Sequence, residues 1–127
     1  MFDDRRINIL AYNIETVLAE KIETVLSRNI ANTRPRDFYD IYILYALRDA
    51  EIDAKTLLQA LERTADKRGS HSVIEVYPDI IADIRASEQL QEFWKKYQRD
   101  FDYAKDISFE DVCDTLQRIM DSITEQS

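Results

Sequence analysis

Glycine is nearly absent from this 127-residue chain, with a single copy, and proline occurs only twice. Few breakers mean few turns, so helices should dominate. One cysteine, Cys113, excludes an intramolecular disulfide. It lies in an apolar helical pattern and reads as a small core residue in a reducing compartment. One histidine, His71, has no cysteine or carboxylate at ligand spacing, which argues against a stand-alone metallohydrolase. No apolar run approaches the ~20 residues of a membrane span, and the opening Met-Phe-Asp-Asp lacks signal-peptide character. The expectation is a soluble, cytoplasmic protein that touches no membrane.

What is present in quantity is apolar and acidic. A chain this long, 45% hydrophobic, suits one domain and can bury roughly two thirds of its unfolded surface. The net charge of -8 argues against a basic nucleic-acid-coating protein. The charge is uneven, however. Residues 1–36 carry six Lys/Arg against five Asp/Glu, and the remainder eleven against twenty. A polyanion site is therefore expected near the N-terminal end.

The periodicity predicts a mainly α bundle of about five to six helices behind one short strand, Arg6 to Leu10, where polar and apolar residues alternate. Helix one spans about Ile14 to Arg28, with an apolar stripe of Ile14, Val17, Leu18, Ile22, Val25 and Leu26. The second begins near Pro35, which suits a first turn and pushes Arg34 into an extended conformation, and runs to about Arg48. Its apolar residues lie almost all round, so a buried central helix is expected. The third runs from its cap at Asp53 to Arg68 and stops at Gly69. Ser70 to Tyr77 reads as a loop. Pro78 opens a short helix through Ile84, Ser87 caps another through about Arg99, and Ser108 starts the last.

Some charges do not fit this scheme. Lys21 lies four residues after Val17, three after Leu18 and four before Val25, inside the apolar stripe. An unpaired buried ammonium would cost several kcal/mol, so Lys21 must either reach water or meet an anion. Helix two offers Asp37 and Asp40 on one flank. The helix dipole accounts for an acid at Asp37, less well for Asp40. Arg34 and Arg36 stand beside the same helix N-terminus, a natural place for phosphate, and Arg28 continues the face of Lys21. Either anionic-substrate chemistry or an internal ion-pair network explains the convergence. Tyr12, Tyr39 and Tyr42 could stack a base, although core packing accounts for them equally.

The stretch Ala11 to Arg28, with Ala19-Glu20-Lys21 at its centre, followed by Asn32 to Asp40 with Arg36-Asp37-x-x-Asp40, resembles the AbiEii/AbiGii toxin family of nucleotidyltransferases. The likeness covers two linked motifs over some thirty residues. Beyond about Leu47 it is only a run of helices with a late Ser-Phe-Glu start at Ser108. The resemblance implies a bacterial, cytoplasmic transferase with a polymerase-β-like core (α+β when intact), serving abortive infection and phage defence and partnered by an antitoxin. It implies that Lys21 contacts nucleotide phosphates and that Asp37 or Asp40 is the late acidic catalytic residue. Arg28, Arg34 and Arg36 would be phosphate or RNA contacts. Mg²⁺ and an NTP are the implied cofactor and substrate, with RNA, for instance tRNA, as acceptor. The family's Gly-Ser and Asp-x-Asp metal motif has no counterpart: Gly69-Ser70 and Asp100-Phe101-Asp102 lie thirty residues apart and after Lys21. No metal ligand is therefore assigned. Residues 1–127 are expected to be a single helical domain, the C-terminal half of such an enzyme and inactive alone, with residues 1–12 a remnant strand of its sheet. The competing expectation is a non-enzymatic helical interaction domain whose Lys21–Asp pairs only fix helix packing.

Overall fold

The computed structural model describes residues 13–32 and 34–125. These form α1 (Ile14–Arg28), α2 (Pro35–Arg48), α3 (Ala54–Arg68), α4 (Ser72–Glu75), α5 (Tyr77–Ala86), α6 (Glu88–Asp100) and α7 (Phe109–Thr124). Single 3₁₀ turns at Asn29–Ala31, Asp49–Glu51 and Asp102–Ala104 link them. No strand occurs among the described residues. The expected strand at Arg6 to Leu10, the remnant segment 1–12 and Tyr12 lie outside them.

Local chemistry explains most helix ends. Asn13, Asp53, Ser87 and Ser108 each accept a hydrogen bond from the backbone N–H three residues on, satisfying a donor that the first turn leaves free. Gly69 ends α3 at φ 71°, and Ser70 N–H closes the turn on Ala65 O at 2.8 Å. A Cβ is disfavoured in that left-handed conformation. Asn29 takes φ 50° at the end of α1, a role that asparagine tolerates better than most residues.

The core is one cluster. Leu18, Ala19, Ile22, Val25 and Leu26 of α1 pack on Leu57, Ala60, Leu61 and Ala65 of α3, the most extensive helix pair. From the other side α7 contributes Val112, Cys113, Leu116, Ile119, Met120 and Ile123, reaching α5, α2 and α3. Trp94 of α6 is buried, and its indole N–H donates to Ile107 O at 2.9 Å.

Two expectations need correction. The stretch from Ser70 to Tyr77 is not simply a loop: it holds α4, which turns Val73 and Ile74 into the core, so seven helices replace the expected five to six. Two adjacent apolar residues reach one buried face more readily from a helical turn than from an extended segment. Nor is α2 buried all round. Asp37, Phe38 and Ile41 are buried, Tyr39, Tyr42, Leu44 and Tyr45 are half-covered, and Leu47 is 73% exposed. Only α1, α6 and α7 among the long helices pack broadly on it, which leaves its outer face open.

Candidate functional site

The first two turns of α2 begin where α1 has just ended. Asn29 reverses the chain, and Asn32, fully buried, accepts a hydrogen bond from Arg34 N–H at 2.8 Å. Pro35 then starts α2 as expected, with Arg34 extended at φ -118°, ψ 85°. This turn lays the first half of α2 against the middle of α1.

Lys21 Nζ consequently meets Asp40 Oδ2 at 2.9 Å, with 31% and 22% of the two side chains exposed. The ammonium both reaches the surface and meets an anion. Arg36 Nε approaches the same Asp40 oxygen at 3.9 Å, so two cations share one carboxylate. Arg36 is 76% exposed, which leaves most of its guanidinium edge toward solvent. Asp37 differs from Asp40. It is 4% exposed, it faces Arg34 Nε at 3.7 Å, and its Oδ2 has no hydrogen-bond partner among the described residues. A carboxylate in that position is held by charge rather than by directed hydrogen bonds. Arg28 lies exposed near the end of α1, without an ion-pair partner among the described residues. The structure thus joins Lys21, Asp40 and Arg36 in one open cluster, sets Asp37 with Arg34 beside it, and leaves Arg28 apart.

Such a cluster can exchange partners. An ion pair that water still reaches is worth only about 0–1 kcal/mol, because water competes for both charges. An incoming polyanion can therefore take Lys21 and Arg36 at little expense to the fold. Metal ligation is a different matter. Among the described residues no group of three or more His, Cys, Asp or Glu converges as a metal site, and Asp37 and Asp40 each already face a cation. The described residues do not fit the Mg²⁺ that the resemblance implied. His71 stands exposed, 3.9 Å from Asp66 and Glu75.

One group escaped the sequence reading, and a second was read only at Tyr39. Glu23, one position after Ile22, is buried and accepts hydrogen bonds from Ser27 Oγ at 2.6 Å, Ser70 Oγ at 2.7 Å and Arg68. Burial pushes its carboxyl up, but these hydrogen bonds and the Arg68 charge outweigh it and hold the group below the ordinary glutamate value. The signal was available: Glu23 lies four residues after Ala19 and three before Leu26, both in the core. The second group is aromatic. Tyr39, Tyr97, Phe101 and Tyr103 gather beside Asp40, with the Tyr97 and Tyr103 hydroxyls 2.8 Å apart. Burial, the Tyr103 hydroxyl and nearby negative charge raise the Tyr97 phenol.

A separate concavity lies elsewhere. A cavity of about 450 Å³ between α5, α6 and α7 is lined by Arg85, Gln91, Trp94, Gln98, Phe109 and Cys113, among others, and shares no residue with the Lys21 cluster. Three of its polar groups are committed to the fold: Gln91 donates to Arg85 O, Gln98 to Ile107 O, and Arg85 pairs with Asp114 at 2.7 Å. Chemistry is better placed at the open cluster, where charges remain exchangeable.

Fold and cluster together define a helical protein that presents exchangeable cations and an acid at one helix junction. The family described as "Nucleotidyl transferase AbiEii toxin, Type IV TA system" matches residues 1–118, and the chain belongs to it. A nucleotidyltransferase toxin of a toxin–antitoxin system, with a cognate antitoxin as partner, follows from that membership. Searches of curated proteins and of solved structures return no match. No helix among the described residues is long and apolar enough to cross a membrane.

Proposed function

We propose that this chain supplies the helical, phosphate-gripping half of an NTP-dependent transferase that adds a nucleotide to an RNA acceptor in the bacterial cytoplasm, in the service of abortive infection. The observation that carries the reading is the Lys21–Asp40 pair at 2.9 Å, open to solvent and flanked by Arg36. In this reading the NTP triphosphate draws Lys21 and Arg36 away from Asp40, Arg34 extends the cationic rim, and Arg28, apart from the cluster, serves more distant phosphates of the RNA. Asp40, released, accepts the proton of the acceptor hydroxyl as its oxygen bonds to the α-phosphorus. The bond from that phosphorus to the bridging oxygen breaks, and pyrophosphate departs with its charge compensated by Lys21 and the arginines. Asp40 suits the proton-accepting role better than Asp37, which is buried against Arg34. Asp37 then serves to hold Arg34. Mg²⁺, which would lower the repulsion between triphosphate and acceptor, would be held by carboxylates other than these, on a polymerase-β-like sheet.

Transfer of labelled NTP to RNA by the intact protein tests this. Lys21→Ala and Asp40→Asn should each lower labelling on the order of a hundredfold or more, the usual scale for a charge-stabilising or proton-transferring group. Equal labelling by wild type and both variants overturns the assignment. One observation favours a second reading: the Lys21–Asp40 pair itself ties α1 to α2, as a purely structural clamp would. A clamp requires the thermal midpoint to fall together with activity in Lys21→Met; a phosphate contact requires activity to fall alone.

A further inference from the structure

Exposed large aromatics are uncommon on an acidic soluble surface unless something covers them. Phe101 and Tyr103 are 42% and 54% exposed, yet neither is a loose loop tip. Their rings lie 5.3 Å apart, Tyr103 rests 4.7 Å from Tyr39, and Phe101 rests 4.8 Å from Tyr97. The hydroxyl contact between Tyr97 and Tyr103, together with the 3₁₀ turn Asp102–Ala104, fixes the outer ring in place. A preformed, partly uncovered ring surface loses little freedom when a flat ligand settles on it.

Its position gives it a use. Arg36, Tyr39 and Asp40 lie three and four residues apart on α2 and therefore share one helix face. Tyr39 thus joins the aromatic group directly to the carboxylate that Lys21 and Arg36 contact. Asp100 and Asp102 flank Phe101 in the chain, and of the two only Asp100 has a cation partner among the described residues, Lys96 at 3.1 Å. The rings therefore have free cationic edge beside Tyr39, at Arg36 and Lys21, whereas the cation near Phe101, Lys96, is taken by Asp100. Phosphates of a ligand on the rings are drawn toward Arg36 and Lys21.

We infer that Tyr39, Phe101 and Tyr103 form a stacking shelf for the nucleobase of the NTP, whose phosphates would reach Lys21 and Arg36 beside Tyr39. Every base has a π-face, so aromatic stacking is tolerant of sequence and is accompanied by cation contacts to the backbone. The shelf deepens the transferase reading, since its phosphate end is the Lys21–Asp40–Arg36 cluster.

The test separates base from phosphate. Binding of the four NTPs, a short oligoadenylate and inorganic tripolyphosphate is measured by calorimetry on wild type, Tyr103→Ala, Phe101→Ala and Tyr103→Phe, with thermal midpoints as fold controls. Tyr103→Ala and Phe101→Ala should weaken base-bearing ligands on the order of tenfold to a hundredfold. Tripolyphosphate should bind all four proteins alike, and Tyr103→Phe, which keeps the ring, should stay near wild type. Loss confined to NTPs places the donor base on the shelf; loss confined to oligoadenylate overturns that assignment. Base-bearing ligands that bind Tyr103→Ala as they bind wild type, or that weaken no more than tripolyphosphate, overturn the shelf. Base-dependent binding without any tripolyphosphate binding would leave the shelf standing and overturn the triphosphate reading of Lys21 and Arg36 instead.

Discussion

Two of the charges on or beside the apolar stripe of α1 meet opposite fates. Glu23 is enclosed: three side chains donate to it, one of them the arginine that ends α3, and Ser70 joins from the turn beyond. Lys21, two residues earlier, emerges at the surface, shares its single acid with Arg36, and keeps a third of its side chain in water. A closed, satisfied network holds structure, because removing any part strands a buried charge. An open pair with surplus cations is weak and exchangeable, as a ligand site must be. Sites of action are thus distinguished less by the presence of ions than by whether those ions are already fully engaged.

The sharpest way to break this comparison is Glu23→Ala. It should cost about 3 kcal/mol by leaving Arg68 and both serines without their acceptor, somewhat less than for a fully enclosed pair because Arg68 is half exposed. The corresponding fall in thermal midpoint is on the order of 10 °C. A fall no larger than that of an exposed substitution would show that the network is not structural.

The next effect is in acid. Glu23 titrates below its ordinary value of 4.5 in the folded state, so its contribution is fully present above that value and is lost as pH falls through the lowered one. Wild type should therefore lose stability more steeply than Glu23→Gln as pH drops below about 4.5. Parallel acid limbs in denaturant titrations of the two proteins would contradict this.

Smaller still is Lys21→Met, which retains the aliphatic stem along α1. Its stability should change by less than about 1 kcal/mol, and a double-mutant cycle with Asp40→Asn should show coupling of similar size. A coupling of several kcal/mol would make the pair a clamp and erase the contrast with Glu23. The smallest expected signal is none: Cys113 is buried, burial outweighs the nearby Arg85 charge, and its thiol is pushed up to about 12. It should resist iodoacetamide in the native state at pH 8 and react only on unfolding, as monitored by mass.

Much of the fold was legible because helix signals are local. The caps at Asp53, Ser87 and Ser108, the stop at Gly69 and the start at Pro35 each act within one turn, and all lie where the residues indicate. Helix α4 was missed because Ser72–Glu75 is shorter than one reliable period of the hydrophobic pattern. The enclosure of α2 was misjudged for another reason: periodicity reports which faces are apolar, not how many neighbours arrive to cover them. Leu47, Phe101 and Tyr103 remain uncovered for lack of such neighbours among the described residues.

In the candidate site, the conflict of Lys21 with its stripe pointed to an anion on the next helix, and Asp40 supplies it. Which acid would be taken was not readable, since Asp37 and Asp40 differ by less than one turn and their burial depends on how α2 leans on α1. Tyr39 was legible as a stacking residue but its ring partners were not, since Tyr39 and Tyr103 stand far apart in the chain and share no local pattern.

Spacing and capping residues alone dictated where the helices lie and that a cation would stand among apolar neighbours, because those effects reach only a few residues along the backbone. The packing of α1, α2 and α6 decided the rest: that Lys21 pairs openly with Asp40, that Asp37 sinks beside Arg34, and that three distant rings meet next to them. Burial and ion pairing depend on distances through space, and those exist only after the chain has folded back on itself.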